Sequence, residues 1–388
     1  MTAQSRKNLI GVFGLFVAGQ VAAGVLFSLP FGPVQGTDSY LSIAQRFPDL
    51  TGTEWGYGGY VTILAFGETL GSGQWFAFIL QCLAAVGAGT ALLSLGRRFG
   101  GEFAGWAAAG FYLVHPLVAQ WTSYLLTESI FYSGVIVVAW CLIHAIDTGR
   151  PSWGPLWLAA LLVATMRPNG IILLGSAASV TAIHLPRPAI ARLALVASIW
   201  GSVLMVGVIS PTLSTGSESN YFGPRAWAGE VVWNVPEERM TMPQPATRDP
   251  SNGAFIQYAI AHPVEIAELG ARRVWWELKQ VRPWYSRGLN AFTGVSMSGF
   301  YILAAIGAWK SRNSTLTLIV AGITIPFMGL IALTWAIWEG RFGWWFLVLW
   351  TMWAGVGFQT LIDSARRQIA SPSQPSTCPE GSMPEFES

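Results

Sequence analysis

The sequence predicts an all-α polytopic membrane protein of about ten transmembrane helices, with both termini on the cytoplasmic side. Three observations carry this prediction. Of the 388 residues, 52% are hydrophobic and only 11% are charged, whereas a water-soluble domain commonly devotes about a quarter of its residues to charge. The 20 Trp, 21 Phe and 10 Tyr suit membrane–water boundaries and apolar clefts. Apolar runs close to the roughly 20 residues that cross about 30 Å of hydrocarbon recur along the chain. An ordinary soluble enzyme is excluded, and a net charge of +2 gives no footprint for nucleic acid. Cys82, Cys141 and Cys378 fall in two apolar runs and a polar tail, a pattern that implies neither a disulfide framework nor a CxxC metal site.

Taken in order, the spans are read at 9–29, 75–95, 103–118, 121–143, 193–210, 291–309, 316–338 and 342–361. The first is longer than the 7 to 15 apolar residues of a signal-peptide core, and reads as an anchor. The stretch 156–183 is long enough for one crossing, but Arg167-Pro168-Asn169-Gly170 divides it into two runs of roughly 14 residues. Loop charge arbitrates between one crossing and two. Lys and Arg accumulate on the cytoplasmic side, and Arg6/Lys7, Arg97/Arg98, Arg187/Arg192, Lys310/Arg312 and Arg366/Arg367 all fall there only if the chain turns back near Arg167. Two short helices meeting at Arg167 are therefore expected.

The resulting organisation is an N-terminal transmembrane module (1–210) with an outer first loop (30–74), an extracytoplasmic helical subdomain (211–290), C-terminal transmembrane helices (291–362) and a disordered cytoplasmic tail (363–388). The first loop suggests a short amphipathic helix at 39–47. In the subdomain, 254–261 reads as one helix, and Pro263 takes the favoured first position of another running to about Val281. There Arg272, Arg273, Lys279 and Arg282 alternate with Val274, Trp275, Trp276 and Trp284. A basic, Trp-bearing amphipathic helix of this kind suits the membrane interface, close to lipid phosphates; a solvated face is the plainer alternative.

Ionisable residues inside or at the mouth of spans are costly and become functional candidates by default. On the outer side these are Asp38, Glu128, Arg167, and the pair Glu339/Arg341. Asp38 can cap the helix after it or accept a proton from an attacking hydroxyl. Glu128, placed about two turns into an apolar span, must face a polar cavity; it can tie two helices, orient a ligand or hold a divalent cation. Arg167 precedes a proline that breaks the helical ladder. Non-helical backbone at membrane depth lines protein or a cavity, and the planar guanidinium fork suits a phosphate or carboxylate. Glu339-Gly340-Arg341 joins the last two spans in a tight aromatic turn that can present Arg341 to an anion. No HxxxH or HExxH spacing and no glycine-rich nucleotide loop occurs.

The motifs Gly36-Thr37-Asp38-Ser39-Tyr40, Leu126-Thr127-Glu128-Ser129, Met166-Arg167-Pro168-Asn169-Gly170 and Glu339-Gly340-Arg341-Phe342, in this order, resemble those of the GT-C superfamily of polytopic glycosyltransferases. The similarity is to the protein O-mannosyltransferase and aminoarabinose transferase branch. The resemblance implies a GT-C-like fold in the plasma membrane, with an active site facing the extracytoplasmic side. It also implies inverting transfer of a sugar from a polyprenyl-phosphate donor to a lipid, glycan or protein hydroxyl. Asp38 would be the general base. Glu128, Glu339 and Tyr40 would orient sugar, acceptor or a divalent cation. Arg167, Arg341 and Arg273 would hold the donor phosphate. Asp38 is followed by Ser39, where many protein-mannosylating relatives carry a second acid. The rival reading is a transporter or flippase of polyprenyl lipid, for which charges spread along a path through the bilayer and inverted repeats are expected; here the charges cluster towards the outer side.

Overall fold

The computed structural model describes residues 2–34, 40–148, 153–185, 187–213, 222–233, 235–245, 249, 252–337 and 339–370. Asp38 and the tail beyond Ala370 lie outside the described residues.

The N-terminal half comprises α1 (Ala3–Phe27), the short α2 (Tyr40–Ala44), α3 (Gly58–Thr69), α4 (Gly73–Gly100), α5 (Glu102–Val114), the single turn α6 (Pro116–Ala119) and α7 (Glu128–Thr148). Two short helices follow, α8 (Trp153–Ala164) and α9 (Gly170–His184), then α10 (Ala189–Leu213). Next come α11 (Phe222–Trp227), α12 (Asn252–Ala261) and α13 (Pro263–Lys279). The chain closes with α14 (Arg287–Lys310), α15 (Thr315–Leu333) and α16 (Trp344–Ala370). Among the described residues the only β pairing is in isolated bridges. Among the described residues six helices, α1, α4, α7, α14, α15 and α16, are long and apolar enough to cross a membrane, and α8, α9 and residues 189–203 of α10 are shorter apolar helices. This is the architecture of a polytopic membrane protein.

The break at Arg167 is present, with helices ending at Ala164 and restarting at Gly170, as the proline requires. Pro263 opens α13 at the first helical position, after His262 at the N-cap position, which makes no side-chain capping bond. Other boundaries differ from expectation. The run 103–118 stops being one helix at His115, because the residue before Pro116 takes an extended conformation. The run 121–143 starts in a 3-10 turn, Gln120–Thr122, and is α-helical only from Glu128, so Glu128 opens α7 and does not sit two turns inside it. The first loop holds a second helix, α3, that its Gly-rich sequence did not suggest. The basic helix α13 is not wholly interfacial: Trp275 is exposed, but Arg273, Trp276 and Glu277 are buried, as is Arg282 just beyond it.

The helices bring their charged ends together. Arg97 pairs with Glu102 and donates to Asn8 Oδ1 at 3.1 Å, Arg98 pairs with Asp147, and the Arg366 guanidinium lies 5.3 Å over the Phe103 ring. Five of the basic residues expected to share a face, Arg97, Arg98, Lys310, Arg366 and Arg367, thus gather at one end of the bundle. The first residue of α7 is Glu128 and Asp147 is in its last turn, so α7 separates that end from Glu128 by roughly 30 Å. Packing between α14 and α16 is backbone to backbone: a Cβ on Gly307 would fall on the Trp353 carbonyl, and one on Gly357 on the Leu303 carbonyl. A separate small core, including Val232, Phe255, Tyr258, Leu269, Trp276 and Ala336, joins α12 and α13 to the loop after α15.

Candidate functional site

Three non-helical segments, from distant parts of the chain, supply the charged residues at the far end of α7. The first leads into α7. Val34 N–H donates to the Ser123 carbonyl (2.7 Å), Leu125 N–H donates to the Val34 carbonyl (2.8 Å), and Gln81 Nε2 donates to the Thr122 and Tyr124 carbonyls (2.8 and 2.9 Å). The Gln81 Oε1 accepts from Tyr60 OH at 2.8 Å. These bonds satisfy the irregular backbone of residues 122–125, which helix hydrogen bonds do not serve, and they deliver Thr127 and Glu128 to the start of α7. A carboxylate there also meets the positive end of the helix dipole.

The second segment is the break between α8 and α9. Gly59 N–H at the start of α3 donates to the Thr165 carbonyl at 2.9 Å, and a Cβ on Gly56 would lie 2.5 Å from the Pro168 ring. The first outer loop is thereby docked on the break that carries Arg167.

The third is the turn between α15 and α16. Glu277 of α13 accepts from Ile337 N–H on one carboxylate oxygen (2.6 Å) and from Gly343 N–H on the other (2.8 Å). Gln280 Nε2 donates to the Gly340 carbonyl (3.0 Å), Trp276 Nε1 to the Ile337 carbonyl (3.1 Å) and Tyr132 OH to the Arg341 carbonyl (2.7 Å). Gly340 adopts φ +70°, and a Cβ there would run into the Arg282 guanidinium, so the turn requires glycine. Burial pushes the Glu277 carboxyl up to about 7, against the opposing pull of Arg282, the two N–H donors and Arg341.

The side chains so placed meet at Glu128. Arg167 Nη1 donates to Glu128 Oε1 (2.5 Å) and to Thr127 Oγ1 (2.9 Å), while Arg341 Nη1 lies 3.2 Å from the same Glu128 oxygen and Arg341 Nε 3.2 Å from Glu339 Oε2. Glu128, Arg167 and Arg341 are buried, at 1%, 5% and 7% exposure. Aromatic rings wall the cluster: Arg167 sits 5.3 Å from the Trp345 centroid and 5.7 Å from that of Phe342, and Arg341 sits 5.9 Å from that of Trp121. Tyr40 and Tyr57, with ring centroids 5.1 Å apart, are electrostatic neighbours of Arg167. Four kinds of buried polar group beside the cluster have no hydrogen-bond partner among the described residues: Arg167 Nε, the Asn169 amide, and the indole N–H groups of Trp121 and Trp345. Buried donors in folded proteins are nearly always satisfied by protein, water or ligand. This set, rich in N–H, calls for a ligand rich in acceptor oxygens.

Of the residues singled out in the sequence, Glu128, Arg167, Glu339 and Arg341 converge, and Tyr40 lies beside them. Arg273 does not join them. Its Nε and Nη2 donate to the Glu230 carbonyl (3.0 and 2.8 Å) and its Nη1 to the Ala332 carbonyl (2.9 Å), which ties α13 to the end of α15 and commits all three of its nitrogens to backbone away from Glu128. Asp38 lies outside the described residues; Val34 before it pairs with Tyr124, and Tyr40 after it packs on Tyr57 and Tyr60. Among the described residues no three His, Cys, Asp or Glu side chains converge as metal ligands. Glu128 is also poorly arranged for a divalent cation, because two guanidiniums already share its Oε1 and the Thr127 hydroxyl donates to Oε2. Thr127 was named only as part of the Glu128 motif; Glu277, Gln280, Tyr132 and the two orphan indoles were not anticipated. Leu269, Arg273, Trp276 and Glu277, all buried, share one face of α13, but only Leu269 and Trp276 are apolar, so hydrophobic periodicity gave no sign of Glu277.

The chain matches no protein-family model and no curated protein.

Proposed function

We propose that the protein is an inverting membrane glycosyltransferase of the GT-C type, with about ten spans, acting on the extracytoplasmic face of the plasma membrane. It takes a sugar from a polyprenyl-phosphate donor and passes it to a lipid, glycan or protein hydroxyl. The observation that supports this best is the pair of buried guanidiniums, Arg167 and Arg341, held on one carboxylate among unsatisfied N–H donors. A phosphate offers the acceptor oxygens this arrangement lacks, and bidentate guanidinium pairing suits it.

In this reading the prenyl chain stays in the bilayer while phosphate and sugar reach the cluster. Asp38 accepts the proton of the acceptor hydroxyl, and the oxygen attacks the anomeric carbon from the face opposite the leaving group. The anomeric C–O bond breaks, and its electron pair leaves with the polyprenyl phosphate. Arg167 and Arg341 stabilise the charge that develops there, an effect strengthened where water is sparse. Glu128 holds the two guanidiniums apart and oriented, Glu339 trims the charge on Arg341, and Tyr40 and the indole N–H groups offer contacts to sugar hydroxyls.

Purified protein given radiolabelled polyprenyl-phosphate sugars with mixed lipid and glycan acceptors tests the reading. Product is expected from the parent, with a loss of roughly 100-fold or more for Asp38→Asn. Equal turnover by both proteins would remove Asp38 from the mechanism. Carrier movement across vesicles without glycoside product would replace the transferase with a flippase.

A further inference from the structure

A groove of about 410 Å³ opens at the opposite end of the bundle, lined by Lys310 of α14 and by Thr360, Asp363, Arg366 and Arg367 of α16. Its origin is geometric. Gly307 and Gly357 let the two helices touch backbone to backbone, and beyond that contact α16 runs on for more than three turns to Ala370, leaving a cleft between the helix ends. None of Lys310, Arg366 and Arg367 has a carboxylate within 4 Å among the described residues. Asp363, the one acid in the groove, accepts from Gln359 Nε2 at 2.8 Å. The groove therefore holds an excess of unneutralised positive charge.

Two neighbours of the groove say what kind of anion fits. Exposed Val295, Ile302 and Trp309 are seven residues apart along α14, so they form one apolar stripe on the face of α14 turned away from α16, and the outer surface of the helix that carries Lys310 is apolar. The exposed rings Trp309 and Phe103 carry Arg312 and Arg366 over their faces at 4.6 and 5.3 Å, the amphipathic arrangement found at headgroup depth. A soluble anion would use the charges and ignore the exposed rings and apolar helix surface around them; a phospholipid uses both.

We infer that this groove binds an anionic phospholipid, its phosphate between Lys310, Arg366 and Arg367 and its acyl chains on the apolar outer surface of the helices that form the groove. Basic pockets between helix ends at the membrane surface take such headgroups, each basic residue contributing about fivefold in affinity. The site is remote from Glu128 and stands whether or not the transferase reading does.

Native mass spectrometry of the full-length protein in neutral detergent, with phosphatidylglycerol, phosphatidylcholine or inorganic phosphate added, tests this. Phosphatidylglycerol adducts are expected to survive activation that strips phosphatidylcholine. In the Lys310→Gln/Arg366→Gln/Arg367→Gln variant the affinity should fall roughly fivefold per charge removed, while Arg187→Gln/Arg192→Gln, which removes basic residues outside the groove, should keep it. If the triple variant does not fold, Lys310→Gln alone carries the comparison. Equal retention of the two lipids, equal losses in the two variants, or displacement of phosphatidylglycerol by inorganic phosphate would overturn the proposal. So would phosphatidylglycerol binding that appears only after removal of residues 371–388, whose Glu380, Glu385 and Glu387 come with no basic residue; the tail would then be the occupant.

Discussion

Arg167 and Glu128 form the tightest charge pair of the buried cluster, and each depends on the other. A buried ion pair adds little over an apolar core, but removing one partner leaves an uncompensated charge. Arg167→Gln should therefore lower stability by about 3 kcal/mol, read from unfolding in detergent; a change below about 1 kcal/mol would mean that Arg341 alone satisfies Glu128. Glu277 makes a pH prediction. Its carboxyl is raised from an ordinary 4.5 to about 7 by burial, so its contribution to stability is complete below about 4.5 and is lost as pH rises through about 7. Parent and Glu277→Gln unfolding temperatures should diverge in pH dependence across that window, the parent falling and the variant staying flatter; parallel curves would place the titration elsewhere. Residues of the site were legible in the sequence where charge is scarce. Arg167, Glu128 and the Glu339–Arg341 pair stand out because apolar residues surround them. Glu277 was hidden because it lies in a charge-rich stretch, where a carboxylate with two backbone donors looks like any solvated one.

At the scale of elements, the long apolar helices and the Arg167 break were readable, because length, hydropathy and proline act locally. The start of α7 was not. After the 3-10 turn Gln120–Thr122, residues 123–127 leave the helical path because Val34 and Gln81, far off in the chain, take up backbone groups of residues 122–125. For the same reason α3 escaped notice: its glycines allow close docking on Thr165 and Pro168, a contact that no local pattern encodes. The α14–α16 crossing gives a test at this scale. Gly307→Val places branched carbons against the Trp353 carbonyl and should cost about 1–3 kcal/mol or more, whereas Gly294→Val on the same helix, where a Cβ meets nothing within 4 Å, should be tolerated. Equal effects would deny that the helices meet at Gly307.

For the molecule as a whole, charge placement was the informative signal. Sorting basic residues by loop put Arg97, Arg98, Lys310, Arg366 and Arg367 on one face, and the structure gathers them at one end of the bundle, with the Glu128 cluster at the other. Single cysteines, introduced at Glu339 and at Arg366 after replacing Cys82, Cys141 and Cys378 by Ser, should react with membrane-impermeant reagents from opposite sides of sealed vesicles. Labelling from the same side would end the two-ended arrangement.

The brevity of α8 has a mechanical consequence for the surrounding lipid. Its 12 residues rise only about 18 Å, against about 30 Å of hydrocarbon, and Leu158, Leu161 and Leu162 turn outward from the bundle. Acyl chains alongside α8 must shorten or tilt to match so low an apolar wall, which dents the bilayer on that flank. The dent lies beside the break that holds Arg167, so on the proposed reading a polyprenyl-phosphate donor arriving there would find its phosphate already lowered towards the guanidiniums.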